Sequence, residues 1–166
     1  MVAIAEGRST WLSPTLGQVA GDTALLPHWL GAAAIGLLSP VVDAPLAARL
    51  AFAALLALTL LLTWATAYHL ALTDAAQPLP FAFGGEADPV DYARAVADGA
   101  VLAFIATLGL LQLGHETTPE LAQLAAVALF AYALAAAPFR RWQPRLAVVI
   151  SLLALAGSGA PTMGLV

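Results

Sequence analysis

The chain contains no cysteine, no lysine and no asparagine, and only 10% of its 166 residues are charged. Without cysteine there is no disulfide framework, no thiolate metal site and no cysteine nucleophile. All six basic residues are arginines, set against ten acidic ones for a formal net charge of −4. They are too few and too dispersed to track a nucleic-acid backbone, which excludes nucleic acid as a partner. Lysine and asparagine share A-rich codons, so their joint absence points to a GC-rich bacterial genome. An ordinary soluble domain is roughly 45–50% apolar and about 25% charged. This chain is 61% hydrophobic, with a mean hydropathy of +0.89 and 40 alanines and 32 leucines. Such a surface cannot be solvated as a globule, and a soluble enzyme is excluded. The length suits about one domain, and the composition puts that domain in a membrane.

What is present is a series of apolar runs. A spanning helix needs about 20 mostly apolar residues, and four stretches meet that need, near 46–72, 93–113, 121–139 and 146–166. The first holds an unbroken apolar core before Thr63, Trp64, Tyr68 and His69, whose aromatic and imidazole rings suit an interfacial anchor; the second requires Asp98 near its cytoplasmic end. Residues 28–38 are too few to span, and with Trp29 at headgroup depth they read as a helix lying in the interface. The expected fold is thus all-α, a polytopic membrane bundle of about four transmembrane helices plus one interfacial helix. Its parts are a periplasmic loop over 1–45 and a helical bundle over 46–166. Cytoplasmic loops are enriched in arginine, and Arg140, Arg141 and Arg145 place the connection after the third span inside. Alternation then puts the 114–120 loop and everything before residue 46 on the periplasmic side of a bacterial inner membrane. Residues 1–24 hold neither a basic nor an apolar leader segment, so translocation of the first loop suggests a section of a longer protein.

The outer side gathers most of the polar groups that carry chemistry. Arg49, at the start of the first span, is a fixed cation at the depth of a lipid phosphate, which arginine binds bidentately; the alternative is simple snorkelling to the headgroups. His115 and Glu116 form a compact acid/base pair, followed by Thr118 and Pro119 as a helix start. Asp22, His28 and Trp29 stand on the first outer segment, and each of these residues has a solvated-loop reading beside the functional one. The histidines and carboxylates show no metal-ligand spacing, and neither a metal nor another cofactor is expected. The run 157–161, Gly-Ser-Gly-Ala-Pro, interrupts the last span near its outer end, either as a break facing a site or as a plain helix end. Small residues at four-residue spacing, Ala122 with Ala126 and Gly99 with Ala103, permit close helix approach.

Taken in order, these segments resemble the N-terminal half of lipid-linked-sugar glycosyltransferases of the GT-C type, the group of the bacterial aminoarabinose transferases and, more distantly, the protein O-mannosyltransferases. The similar segments are 7–16 (GRSTWLSPTL), 25–32 (LLPHWLGA), 47–50 (AARL), 114–120 (GHETTPE), the basic loop 140–145 and 157–161 (GSGAP). The resemblance implies transfer of a sugar from a polyprenyl-phosphate donor to a periplasmic acceptor. It implies Arg49 at the donor phosphate, Glu116 and His115 as catalytic residues in an outer cavity, and Asp22, His28 and Trp29 at its rim. Departures accompany it: the family's acidic residue after its first span has no counterpart, its second-loop aspartate aligns with Thr118, and the lysine of its terminal Lys-Gly-Pro is replaced within 158–161. A different class fits the composition too, a small non-enzymatic membrane subunit packing against a partner membrane protein through alanine-faced helices. A transporter fragment would need ionisable residues in mid-span, and ranks behind both.

Overall fold

The longest apolar run becomes the longest helix, and the remaining helices are arranged around it. The computed structural model describes residues 1–12, 24–79, 82–107 and 117–160, with the backbone of 15–16 and 19–20. Among these, the α-helices are α1 (Val2–Ala5), α2 (Leu25–Leu38), α3 (Ala44–Ala71), α4 (Pro89–Ala106), α5 (Pro119–Ala136) and α6 (Gln143–Gly157). A short 3-10 turn covers Asp74–Ala76, and one two-residue antiparallel pairing sets Thr15 opposite Ala20 and Leu16 opposite Val19. The described architecture is all-helical apart from that pairing.

Proline sets the helix starts. Pro27, Pro45, Pro89, Pro119 and Pro144 each lie in the first turn of one of the five longer helices. There the missing N–H has no intrahelical partner to lose and the fixed φ is already helical. Each of these helices therefore begins a few residues ahead of the apolar run that marks it in the sequence. Asp88 strengthens the start of α4, its carboxylate accepting from the Val90 N–H at 2.9 Å. Thr118 occupies the N-cap position of α5, but its side chain makes no cap bond, and its buried hydroxyl has no partner among the described residues.

The last helix is shorter than its apolar run. Gly159 adopts φ +82°, the Ala160 N–H donates to the Leu155 carbonyl at 3.2 Å, and the Gly159 N–H donates to the Ala156 carbonyl at 3.4 Å. This pair of reversed bonds around a left-handed glycine terminates a helix. The 157–161 run is accordingly a helix end, and α6 covers 143–157 instead of continuing to 166; residues 161–166 lie outside the described residues. The part of the second expected span at 108–113 lies outside them as well.

Helix α3 packs against α2, α4 and α5, and α5 packs against α6. Gln77 ties the end of α3 to the start of α4 by donating to the Ala71 carbonyl at 2.7 Å and the Pro89 carbonyl at 3.5 Å. Gln123 near the start of α5 donates to the Ser158 carbonyl at the end of α6, at 2.9 Å. His69 meets Tyr132 and Phe139, so the C-terminal ends of α3 and α5 lie together. The four long helices thus alternate in direction, with α3 and α5 pointing the same way.

Interhelical contacts are made by alanine. Ala47, Ala93, Ala97 and Ala136 are fully buried, and Ala122, Ala125, Ala126 and Ala133 nearly so. Apart from Thr118, buried hydroxyls are satisfied by nearby backbone: Thr59 donates to Leu55 O at 2.9 Å, Ser151 to Val148 O at 2.8 Å and Ser158 to Leu155 O at 3.0 Å. Phe52, Leu62, Leu121 and Leu155 are buried as well, but many large side chains point outward, among them Leu58, Leu61, Leu134, Leu146, Ile150 and Leu153. Among the described residues two helices, α3 and α5, are long and apolar enough to cross a membrane, and only 28% and 39% of their most apolar windows are buried. At 1.5 Å per residue α3 is about 42 Å long and α5 about 27 Å, against a hydrocarbon core of about 30 Å. Helices α2 and α6 reach only about 21–22 Å.

Candidate functional site at the α3 N-terminal end

One end of the bundle assembles segments that are far apart in the chain. There α2 lies across the start of α3, with Ile35 packed on Ala47 and Ala48 and bordered by Met1, Ala5, Val42 and Ala44. Met1 crosses Gly31 so closely that a Cβ there would come within 2.2 Å of its sulfur. The start of α2 meets the end of α6: a Cβ on Gly157 would lie 3.3 Å from Leu26, and one on Gly159 would lie 3.5 Å from Ala24. The Gln123–Ser158 bond brings in the start of α5.

Two tryptophans organise this end. The Trp29 indole N–H donates to the Trp11 carbonyl at 2.7 Å, linking α2 to the N-terminal segment. Trp11, Leu26, Trp29, Leu30 and Ala33 line an open apolar groove of about 390 Å³. His28, half-buried beside it, has Nδ1 2.8 Å from the Ala24 carbonyl, which leaves Nε2 for another partner. The groove suits an apolar chain, and the His28 imidazole suits the polar end of an amphiphile.

Arg49 is exposed on the second turn of α3, one residue beyond the buried Ala48, and forms no ion pair among the described residues. No hydrogen bond joins it to His28 or Trp29, so the structure brings His28 and Trp29 together and leaves Arg49 as a separate surface cation. Arg8, also at this end, is paired with Glu6. Asp22, His115 and Glu116 lie outside the described residues.

The other end joins Trp64, Tyr68 and His69 to Asp98, Tyr132 and Phe139, residues that no sequence spacing pairs. The Trp64 indole donates to the Asp98 carboxylate at 2.7 Å, joining α3 to α4. Trp64 stacks on Tyr68 at 5.1 Å, and His69 is ringed by Tyr68, Tyr132 and Phe139 at 5.5–5.6 Å. Asp98 lies near the middle of α4, not at its cytoplasmic end as the span assignment required. His69 belongs to an aromatic cluster between α3 and α5, a fuller role than an interfacial anchor. A carboxylate inside an otherwise apolar stretch was the signal available for this pair. Among the described residues no group of His, Asp and Glu could hold a metal ion.

No protein-family model, curated protein or solved structure matches the chain.

Proposed function

We propose that the chain is a fragment or divergent member of the bacterial inner-membrane glycosyltransferases of the GT-C type, which transfer a sugar from a polyprenyl-phosphate donor to a periplasmic acceptor. In this reading the chain crosses the bilayer four times, in spans that start with α3, α4, α5 and α6. Support comes from convergence. The Trp11 segment, the Leu25–Leu38 helix, the buried Ala47–Ala48 step before Arg49, the start of α5 and the Ser158–Gly159 helix end meet at one end of the bundle. These are the segments that carry the family resemblance. The outward-facing leucines, with the two long apolar helices, support the membrane setting.

In this reading the apolar groove between Trp11 and Trp29 takes the polyprenyl chain. The acceptor hydroxyl attacks the anomeric carbon, the sugar–phosphate bond breaks, and the polyprenyl phosphate leaves with the electron pair. Arg49 neutralises that leaving phosphate, and the acid/base pair of His115 and Glu116 takes the acceptor proton. Binding of a polyprenyl monophosphate to the purified chain tests the assignment. Arg49→Ala is expected to weaken it about tenfold, the worth of a charge-assisted contact, with Arg49→Lys intermediate. Unchanged affinity removes Arg49 from the site. Displacement of the probe by phosphatidylglycerol at equal concentration removes the polyprenyl reading altogether.

The second reading, a non-enzymatic subunit, has one observation in its favour: Ala95, Gly99 and Ala103 form an open small-residue face on α4. The stripe at Ala122 and Ala126 is consumed within the chain's own contacts.

A further inference from the structure

We infer that the connection between α5 and α6 is a binding site for the anionic headgroup of a membrane phospholipid, at the end of the bundle opposite the candidate transferase site and independent of it. The connection carries Arg140, Arg141 and, in the first turn of α6, Arg145. All three are exposed and none is ion-paired among the described residues, whereas Arg94 at the same end is neutralised by Asp91 at 3.2 Å. The first turn of α6 contains no acidic residue and its N-cap makes no side-chain bond. A cation at a helix N-terminus is disfavoured by the backbone dipoles, so Arg145 gains nothing from its own helix. Asp74, Glu86, Asp88 and Asp91 lie at the same end, but none of the three arginines pairs with them, which leaves the guanidinium groups open to an anion from outside the chain.

The aromatic residues specify where that anion sits. Trp142 is 67% exposed, yet the Arg145 guanidinium lies over its ring at 5.5 Å. Phe139 is held on the His69 ring at 5.5 Å, and its N–H and that of Arg140 both donate to the Ala136 carbonyl. The connection is therefore fixed to the bundle instead of free to fold back on an acidic loop. An exposed indole prefers the membrane–water boundary, so the three guanidinium groups flank the plane of the lipid phosphates. Arginine grips a phosphodiester through two N–H groups, and basic residues at an anionic bilayer surface bind its headgroups cooperatively. An anionic phospholipid such as phosphatidylglycerol fits this surface; a zwitterionic one offers no net charge to it.

Native mass spectrometry of the purified chain titrated with phosphatidylglycerol and phosphatidylcholine tests the site. Phosphatidylglycerol is expected to be retained at least about tenfold more tightly, a lower bound on what three basic groups near an anionic surface supply. The Arg140→Gln/Arg141→Gln/Arg145→Gln variant, changed only at exposed positions, should bring the ratio close to one while its thermal unfolding stays unaltered. Arg94→Gln should leave the preference intact. Equal retention of both lipids by the unmodified chain overturns the inference and favours an acidic protein as occupant. A preference that survives the triple substitution overturns it as well.

Discussion

Asp98 is the residue whose environment most changes its meaning. A lone carboxylate in an apolar helix is costly unless a donor meets it, and the Trp64 N–H does so at 2.7 Å from the facing helix. Bonds to charged acceptors are worth about 1.5–3 kcal/mol in water-soluble proteins, but polar contacts between membrane helices average about 0.6 and reach about 1.7. Because the pair is exposed on the bundle surface, the lower scale applies. A double-mutant cycle of Trp64→Phe and Asp98→Ala, read by thermal unfolding in detergent, should give a coupling of about 0.5–1.5 kcal/mol. Asp98→Asn keeps an acceptor and should lose less than Asp98→Ala. Additive single effects would mean that the contact contributes nothing to joining α3 and α4. Gly159 is the second residue with a definite task, since its φ of +82° ends α6 where a Cβ-bearing residue would be strained.

At the scale of elements, the sorting of small residues inward and large ones outward decides how the helices pack. Ala93 and Ala97, one turn apart on α4, are fully buried, while Val96, Leu102 and Ile105 on the same helix are exposed. In the proposed membrane setting there is no hydrophobic force to join helices, and close backbone approach supplies the attraction. Ala97→Leu should force α4 away from α3 and cost about 1–3 kcal/mol, measurable as a lowered unfolding temperature. Leu102→Ala on the outward face should change stability by less than about 0.5 kcal/mol. The helices themselves were legible in the sequence because apolar runs and first-turn prolines are local signals. Their ends were less so: α6 stops at a glycine geometry that a hydropathy pattern does not record, and the apolar runs began after the proline turns that start each helix. The candidate site was legible only in part. Trp29 and His28 stand out by type, but the Trp29 bond to Trp11 and the Trp64 bond to Asp98 join residues 18 and 34 positions apart, and no local pattern encodes such pairs.

For the whole molecule, the distribution of arginine fixes a direction. Arg94, Arg140, Arg141 and Arg145 lie at the end where α4 and α6 start, and only Arg8 and Arg49 lie at the other. The orientation rule weighs arginine near the span ends and gives acidic residues little influence. The acidic residues Asp74, Glu86, Asp88 and Asp91 at the arginine-rich end therefore do not offset the bias, and that end faces the cytoplasm in the proposed topology. The absence of native cysteine makes the arrangement directly testable by single-cysteine labelling with a membrane-impermeant maleimide. Ser39→Cys, exposed in the connection after α2, should react in intact spheroplasts. Ala87→Cys before α4 and Ala137→Cys after α5, also exposed, should react only after the membrane is permeabilised. Labelling of all three from outside would contradict a spanning α3 and α5. The reverse pattern would keep the bundle but put Arg49 and the tryptophan groove in the cytoplasm, where transfer to a periplasmic acceptor cannot take place. The orientation thus bears on the catalytic proposal more heavily than any single side chain does, because it decides which compartment the candidate site opens to.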